Sequence, residues 1–169
     1  SHVETRENFT AYEEETGQQF RFVLPGSPLH RPEWEAVLDK LTSLADKPRI
    51  VVASGSVPPG VPEDIYAEIT RRARALGARM VIDTSGPSLV AALAEGVTLI
   101  KPNQNELSEF VGRQLDTESD CVAACRALIK SGRTKLVALT LGEQGSLLVS
   151  EERALRAKPM RIEVVSAVG

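Results

Sequence analysis

Cysteine and histidine are scarce in this chain, with two of each in 169 residues. Cys121 and Cys125 stand four apart in a helical pattern, which puts both on one helix face. They read as small core residues, the alternative being a metal or redox pair. So few cysteines, with no export signal, suit a reducing cytoplasm. His2 and His30 both fall away from the strand ends discussed below, which argues against a serine–histidine hydrolase. No Walker A pattern occurs, so a P-loop enzyme is excluded. No apolar run approaches membrane-spanning length, and no signal peptide opens the chain. The formal net charge is −3 and there is no long basic run, which argues against nucleic acid as the main partner. Internal repeats and low-complexity segments are also absent.

What is present is ordinary for one soluble domain with a real core: 42% hydrophobic and 25% charged residues. Residues 6–24 read as a β-hairpin. "RENFTAY" and "QQFRFVL" are its strands, with Phe20, Phe22 and Leu24 alternating along one face. Gly17, in "EEETG", supplies the positive φ of the turn. A two-stranded unit is not stable alone, so its apolar face must cover a core, a partner or a ligand. "PGSPLHRPEW" then punctuates the chain, and a helix is predicted through about Leu44, with Trp34, Val37, Leu38 and Leu41 at helical spacing.

Beyond that helix, strand and helix alternate. "RIVVAS" reads as a buried strand and "VPEDIYAEITRRARAL" as a helix ending at Gly77. "RMVID", "VTLIK" and "KLVALTL" are further strands. "PSLVAALAE", "NELSEFV" (ending near Gly112) and "TESDCVAACRALIKSG" (with Thr117 as N-cap) are helices. "GSLLVSE", "ALRAKP" and "RIEVVS" look like a closing meander. Such alternation implies parallel pairing with right-handed crossovers, plus an antiparallel edge from the last strands. The expected fold is an α/β, Rossmann-like layer: a parallel sheet flanked by helices, with a protruding hairpin.

Ligands in open α/β sheets bind at the carboxyl ends of the strands. Four strands here end in small, polar or glycine-rich residues: Ser54-Gly55-Ser56, Asp83-Thr84-Ser85-Gly86, Lys101-Pro102-Asn103 and Thr140-Leu141-Gly142-Glu143-Gln144-Gly145. Each alone reads as an ordinary turn. Four on one sheet edge point to a long, phosphate-rich ligand. Glycines let backbone N–H groups approach phosphate oxygens, Lys101 offers positive charge, and Asp83 and Glu106 are candidate magnesium anchors. "KPNQNE" admits two readings at once. Asn103 and Glu106 are spaced as a capping box, and Glu106 is also placed to face a metal.

"SGSVPPG", "IDTSG", "KPNQNE" and "TLGEQG", in this order and spacing, resemble the PfkB family of sugar kinases, which has the ribokinase fold. "SAVG" looks like the entry to that family's Gly-Ala-Gly-Asp signature. "TRENF" and "QFRFVLPG" are most similar to the bacterial minor 6-phosphofructokinase branch. The resemblance implies phosphorylation of fructose 6-phosphate at O1 by ATP with Mg2+. Arg6 would hold the sugar phosphate from the hairpin, a lid over residues 1–24, and residues 25–169 would be a partial core. Ser54 and Ser56 would line the sugar site. Lys101 and Asn103 would face the ATP phosphates. Thr140, Gly142 and Gly145 would shape the nucleotide loop. Glu106 would organise magnesium, with Asp83 assisting through water. The lid would pair the protein as a homodimer.

The family's general base, the aspartate of Gly-Ala-Gly-Asp, would fall beyond Gly169, and its first strands before Ser1. The chain is therefore expected to be an internal piece of a kinase, without activity by itself. Rival readings are a kinase of the same family acting on tagatose 6-phosphate or fructose 1-phosphate, a non-catalytic sugar- or nucleotide-binding module, and a ligand-free scaffold.

Overall fold

The structure, a computed structural model, describes residues 5–159. His2, "RIEVVS" and "SAVG" lie outside the described residues.

Strands β1 (Asn8–Tyr12) and β2 (Gln19–Val23) pair antiparallel as a separate two-stranded sheet. Gly17, at φ 71°, makes their turn. Phe9 faces Phe22 and Ala11 faces Phe20. Opposed residues share a face, and the Phe9 and Phe22 rings stack at 4.6 Å. The hairpin therefore carries the aromatic face expected of it, with Phe9 55% and Phe20 and Phe22 each 46% exposed.

The remainder runs α1 (Arg31–Thr42), β3 (Ile50–Ser54), α2 (Ile65–Ala75), β4 (Arg79–Asp83), α3 (Gly86–Ala94), β5 (Val97–Ile100), α4 (Gln104–Val111), α5 (Glu118–Lys130), β6 (Thr134–Thr140), a 3-10 turn Gly142–Gln144, β7 (Ser146–Val149) and β8 (Ala154–Ala157). The sheet order is β3-β4-β5-β6-β7-β8. The first four strands are parallel, and β7 and β8 add the antiparallel edge. Among the described residues no helix is long and apolar enough to cross a membrane.

Consecutive parallel strands laid down in one direction, with right-handed crossovers, put every connecting helix on the same face. The burial pattern agrees. Ala53, Ile82, Ile100, Val137 and Val149 lie in register across five strands and are all buried. Helices α2 and α5 pack on this face. The alternate row is less covered: Val81, Leu99 and Leu136 are half-buried, and Val52 is 64% exposed.

Three sequence expectations change. "RIVVAS" is a strand but not a buried one. Among the described residues β3 is the last strand of the sheet, paired only with β4, and Ile50 is 49% exposed. Val37 points outward at 65% exposure, while Leu38 alone of α1 is fully buried. Helix α2 begins at Ile65 rather than near Val61, because Pro62 closes a turn first, its carbonyl accepting from Ile65 N–H.

Cys121 and Cys125 are both free thiols buried in the core on α5. Burial pushes the Cys125 thiol up to about 12 and raises Cys121 too, as expected of packing residues.

Candidate active site

Parallel register carries β3, β4 and β5 to a common edge, where Ser54 is paired directly with Asp83. Ser54 Oγ donates to Asp83 Oδ2 at 3.2 Å, and Lys101 Nζ lies 3.1 Å from Asp83 Oδ1. One carboxylate thus joins the ends of three neighbouring strands. The next strand is tied in by backbone: Thr140 N–H donates to Pro102 C=O at 3.0 Å, and Thr140 forms a bridge with Asn103. Gly142 and Gly145 follow in the 3-10 turn, where Leu141 N–H donates to Gly145 C=O at 2.8 Å. Gly145 is required sterically. At φ 96°, an added Cβ would sit 2.2 Å from the Ala157 carbonyl oxygen.

The "KPNQNE" stretch is a complete capping box on α4. Asn103 Oδ1 accepts from Glu106 N–H at 2.8 Å, and Glu106 Oε2 accepts from Asn103 N–H at 2.8 Å. Only Oε2 takes part in the cap. The same carboxylate lines a cleft of about 510 Å³ together with Asp83, Thr84, Ser56 and Glu63.

A second cleft, of about 620 Å³, lies toward the hairpin and is lined by Arg6, Gly26, Ser54 and Ser56. An added Cβ on Gly26 would meet the Arg6 side chain at 3.6 Å, so the arginine stem rests over that glycine. Gly55, Ser56, Val57, Pro58 and Pro59 line both clefts and form the wall between them. Leu29 N–H donates to Pro59 C=O at 2.8 Å and so pins the far end of this wall.

The expected residues therefore fall into three groups. Arg6, Ser54 and Ser56 share one cleft. Ser56, Asp83 and Glu106 share the other, with Lys101 paired to Asp83. Asn103, Thr140, Gly142 and Gly145 occupy the same sheet edge but line neither cleft. Sequence reading left two contributors without a role. Tyr66 OH donates to Gly55 C=O at 2.9 Å, and Thr84 Oγ1 donates to the same oxygen at 2.8 Å. Tyr66 reads in sequence as an ordinary helix-face residue, and nothing local links it to Gly55.

Three carboxylates line this cleft, Glu63, Asp83 and Glu106, and the last two, the pair expected from sequence, are hard oxygen donors of the kind magnesium takes. Magnesium keeps most of its water or phosphate ligands, so a pair of protein carboxylates fits it without a closed cage. Among the described residues no group of three or more His, Cys, Asp or Glu side chains is arranged to hold a metal.

Comparison with known proteins gives a consistent answer. The family model described as pfkB family carbohydrate kinase matches residues 2–169. The ATP-dependent 6-phosphofructokinase isozyme 2 of Mycobacterium tuberculosis is 42% identical over 165 residues, covering 98% of this chain and 48% of the relative. A 1-phosphofructokinase of Xanthomonas campestris is 38% identical over 170 residues, covering 98% of this chain and 53% of the relative. The crystal structure of Escherichia coli phosphofructokinase-2 in complex with fructose-6-phosphate superposes with a TM-score of 0.89 at 36% identity, over 99% of this chain and 55% of that one. The chain thus spans about half the length of the relatives it matches. With a family match along nearly its whole length, the chain belongs to the pfkB family of carbohydrate kinases.

Proposed function

We propose that the chain supplies acceptor- and nucleotide-binding residues to an ATP-dependent 6-phosphofructokinase, which phosphorylates fructose 6-phosphate at O1. The observation that carries this reading is the Ser54–Asp83–Lys101 junction, set between a cleft holding Arg6 and a cleft holding Glu106. Sugar and phosphoryl donor have to meet end to end, and adjacent clefts sharing one wall suit two such ligands.

In this reading Arg6 holds the 6-phosphate, since a guanidinium matches phosphate oxygens bidentately. Ser54 and Ser56 hydrogen-bond the sugar hydroxyls. Lys101 carries charge toward the ATP phosphates and exchanges its Asp83 partner for them, while Asn103 orients the start of α4 toward the same groups. Thr140, Gly142 and Gly145 shape the loop beside the nucleotide. Glu106 and Asp83 would hold Mg2+, which when bound neutralises charge on the transferred phosphoryl group. No residue of the described chain is assigned as the base that takes the hydroxyl proton. The exposed Phe9–Phe20–Phe22 face of the hairpin packs against a second copy, and residues 1–24 serve as a lid. The reaction belongs in the cytoplasm, where sugar phosphates and ATP are found together.

A second reading, 1-phosphofructokinase, is favoured by the 38% identity to a relative of that name. The test is ADP release by the full-length gene product with ATP, Mg2+ and fructose 6-phosphate, with the product identified. Formation of fructose 1,6-bisphosphate is expected. Nucleotide binding without turnover would support a binding module instead.

A further inference from the structure

The wall between the two clefts is held at its near end by side chains that carry no role in the reaction as proposed. Ser54 and Ser56 flank Gly55, so the position of this one peptide fixes where both serines point. Gly55 sits at φ 99°, a conformation that favours glycine, and its N–H donates to Asp83 C=O at 2.9 Å. Its carbonyl accepts two hydrogen bonds, from Tyr66 OH at 2.9 Å and from Thr84 Oγ1 at 2.8 Å. A carbonyl oxygen has two lone pairs, so these donors saturate it. They come from different elements, Tyr66 from α2 and Thr84 from the end of β4. Tyr66 is 8% exposed as a residue, and its hydroxyl bond to Gly55 is half-buried. Burial, with the nearby Asp83 charge second, raises the Tyr66 pKa and keeps the phenol a donor throughout the neutral range.

We infer that Tyr66 and Thr84 are positioning residues that clamp the Gly55 carbonyl, preorganise the Ser54–Pro59 wall, and so set the affinity for the phosphorylated acceptor. What the wall binds rests on the kinase reading; how it is held does not. A wall that must be ordered on binding lowers apparent affinity by the fraction of time it is competent. Loss of either hydroxyl leaves one donor in place, and loss of both leaves a bare carbonyl. The effects are therefore coupled rather than additive.

The experiment uses the full-length gene product as wild type, Tyr66→Phe, Thr84→Val, Thr84→Ser and the Tyr66→Phe/Thr84→Val double variant. Two quantities are read: amide hydrogen exchange at Gly55, whose N–H is bonded to Asp83 C=O, and steady-state KM and kcat. Each single loss is expected to speed exchange at this amide and raise the acceptor KM by roughly two- to five-fold, the net worth of one hydrogen bond. The KM for ATP and kcat move less. The double variant exceeds the product of the single effects, and Thr84→Ser, which keeps the hydroxyl, recovers most of the wild-type value. Unchanged exchange in the double variant overturns the clamp. A lower thermal midpoint with acceptor KM unchanged also overturns the inference, because it shows a merely structural role. Should Tyr66→Phe fail to fold, Thr84→Val on the half-exposed side tests the same oxygen. Absence of turnover in the wild type refutes the kinase reading, and the exchange data still decide the clamp.

Discussion

Lys101 Nζ lies 3.1 Å from Asp83 Oδ1, across the ends of β5 and β4. The pair is open to solvent, with side chains 45% and 36% exposed, so it contributes no more than about 1 kcal/mol to stability. In the proposed reading it holds the ammonium at the sheet edge until a more highly charged anion arrives. Lys101→Met should therefore leave the thermal midpoint nearly unchanged. It should raise the KM for ATP by about ten-fold, as expected for loss of a charged hydrogen bond. Denaturation scans and steady-state kinetics on the full-length gene product check both parts. A large loss of stability would show that the lysine serves the fold instead.

Glu106 closes the α4 capping box, and in the proposed reading it also faces the metal, two jobs that substitution can separate. Glutamine at the third helical position still completes a capping box, so Glu106→Gln keeps the bond to Asn103 N–H and removes only the charge. Activity is expected to fall by about 10- to 100-fold, the range seen when groups that tune a metal site are lost, with stability preserved. Asn103→Ala should instead lose about 1 kcal/mol of stability through the missing cap. Equal losses of stability in the two variants would contradict the division.

The cluster on α2 sets an acid limit. Glu68 accepts from Arg72, its strongest partner, and from Arg71, and these bonds lower its pKa below the usual 4.5. Arg72 also reaches Asp39 on α1 at 3.0 Å, and Arg71 reaches Glu95 at 2.7 Å. A depressed carboxylate stabilises the fold above its unfolded pKa, and that contribution is lost as pH falls through the folded value. The stability gap between wild type and Glu68→Gln should be constant from neutrality down to about pH 5 and close at lower pH. Solvent screening keeps the gap to about 1 kcal/mol or less. Denaturant midpoints at a series of pH values provide the measurement, and a gap that widens in acid would oppose it.

The thiols should be silent. Cys121 and Cys125 are 1% and 0% exposed, and burial holds the Cys125 pKa at about 12. Thiol reagent at pH 8 should label neither in the folded protein and both once it unfolds. Rapid labelling of the folded protein would show that α5 opens locally.

The strand–helix rhythm was legible because each buried strand is a short apolar run and each helix carries its own stop or start. Gly112 ends α4 at φ 70°, and Thr117 caps α5 by accepting from Asp120 N–H. The capping box at Asn103 and Glu106 could also be read from spacing alone. Exposure of β3 could not, because "RIVVAS" reads the same whether it sits inside a sheet or at its edge. That depends on strand order, a long-range property. The site shows the same division. Residues that leave a strand end are predictable from the strand, which is how Ser54, Asp83 and Lys101 were found together. Tyr66 reaches Gly55 from a helix eleven residues on, and only the packed fold reveals that contact.

The most direct single measurement is a comparison of kcat/KM for the full-length gene product with ATP and Mg2+ against fructose 6-phosphate, tagatose 6-phosphate and fructose 1-phosphate. The predicted result is a clear preference for fructose 6-phosphate. Preference for fructose 1-phosphate would contradict the placement of Arg6 opposite a 6-phosphate, and turnover of none of the three would contradict the kinase reading itself.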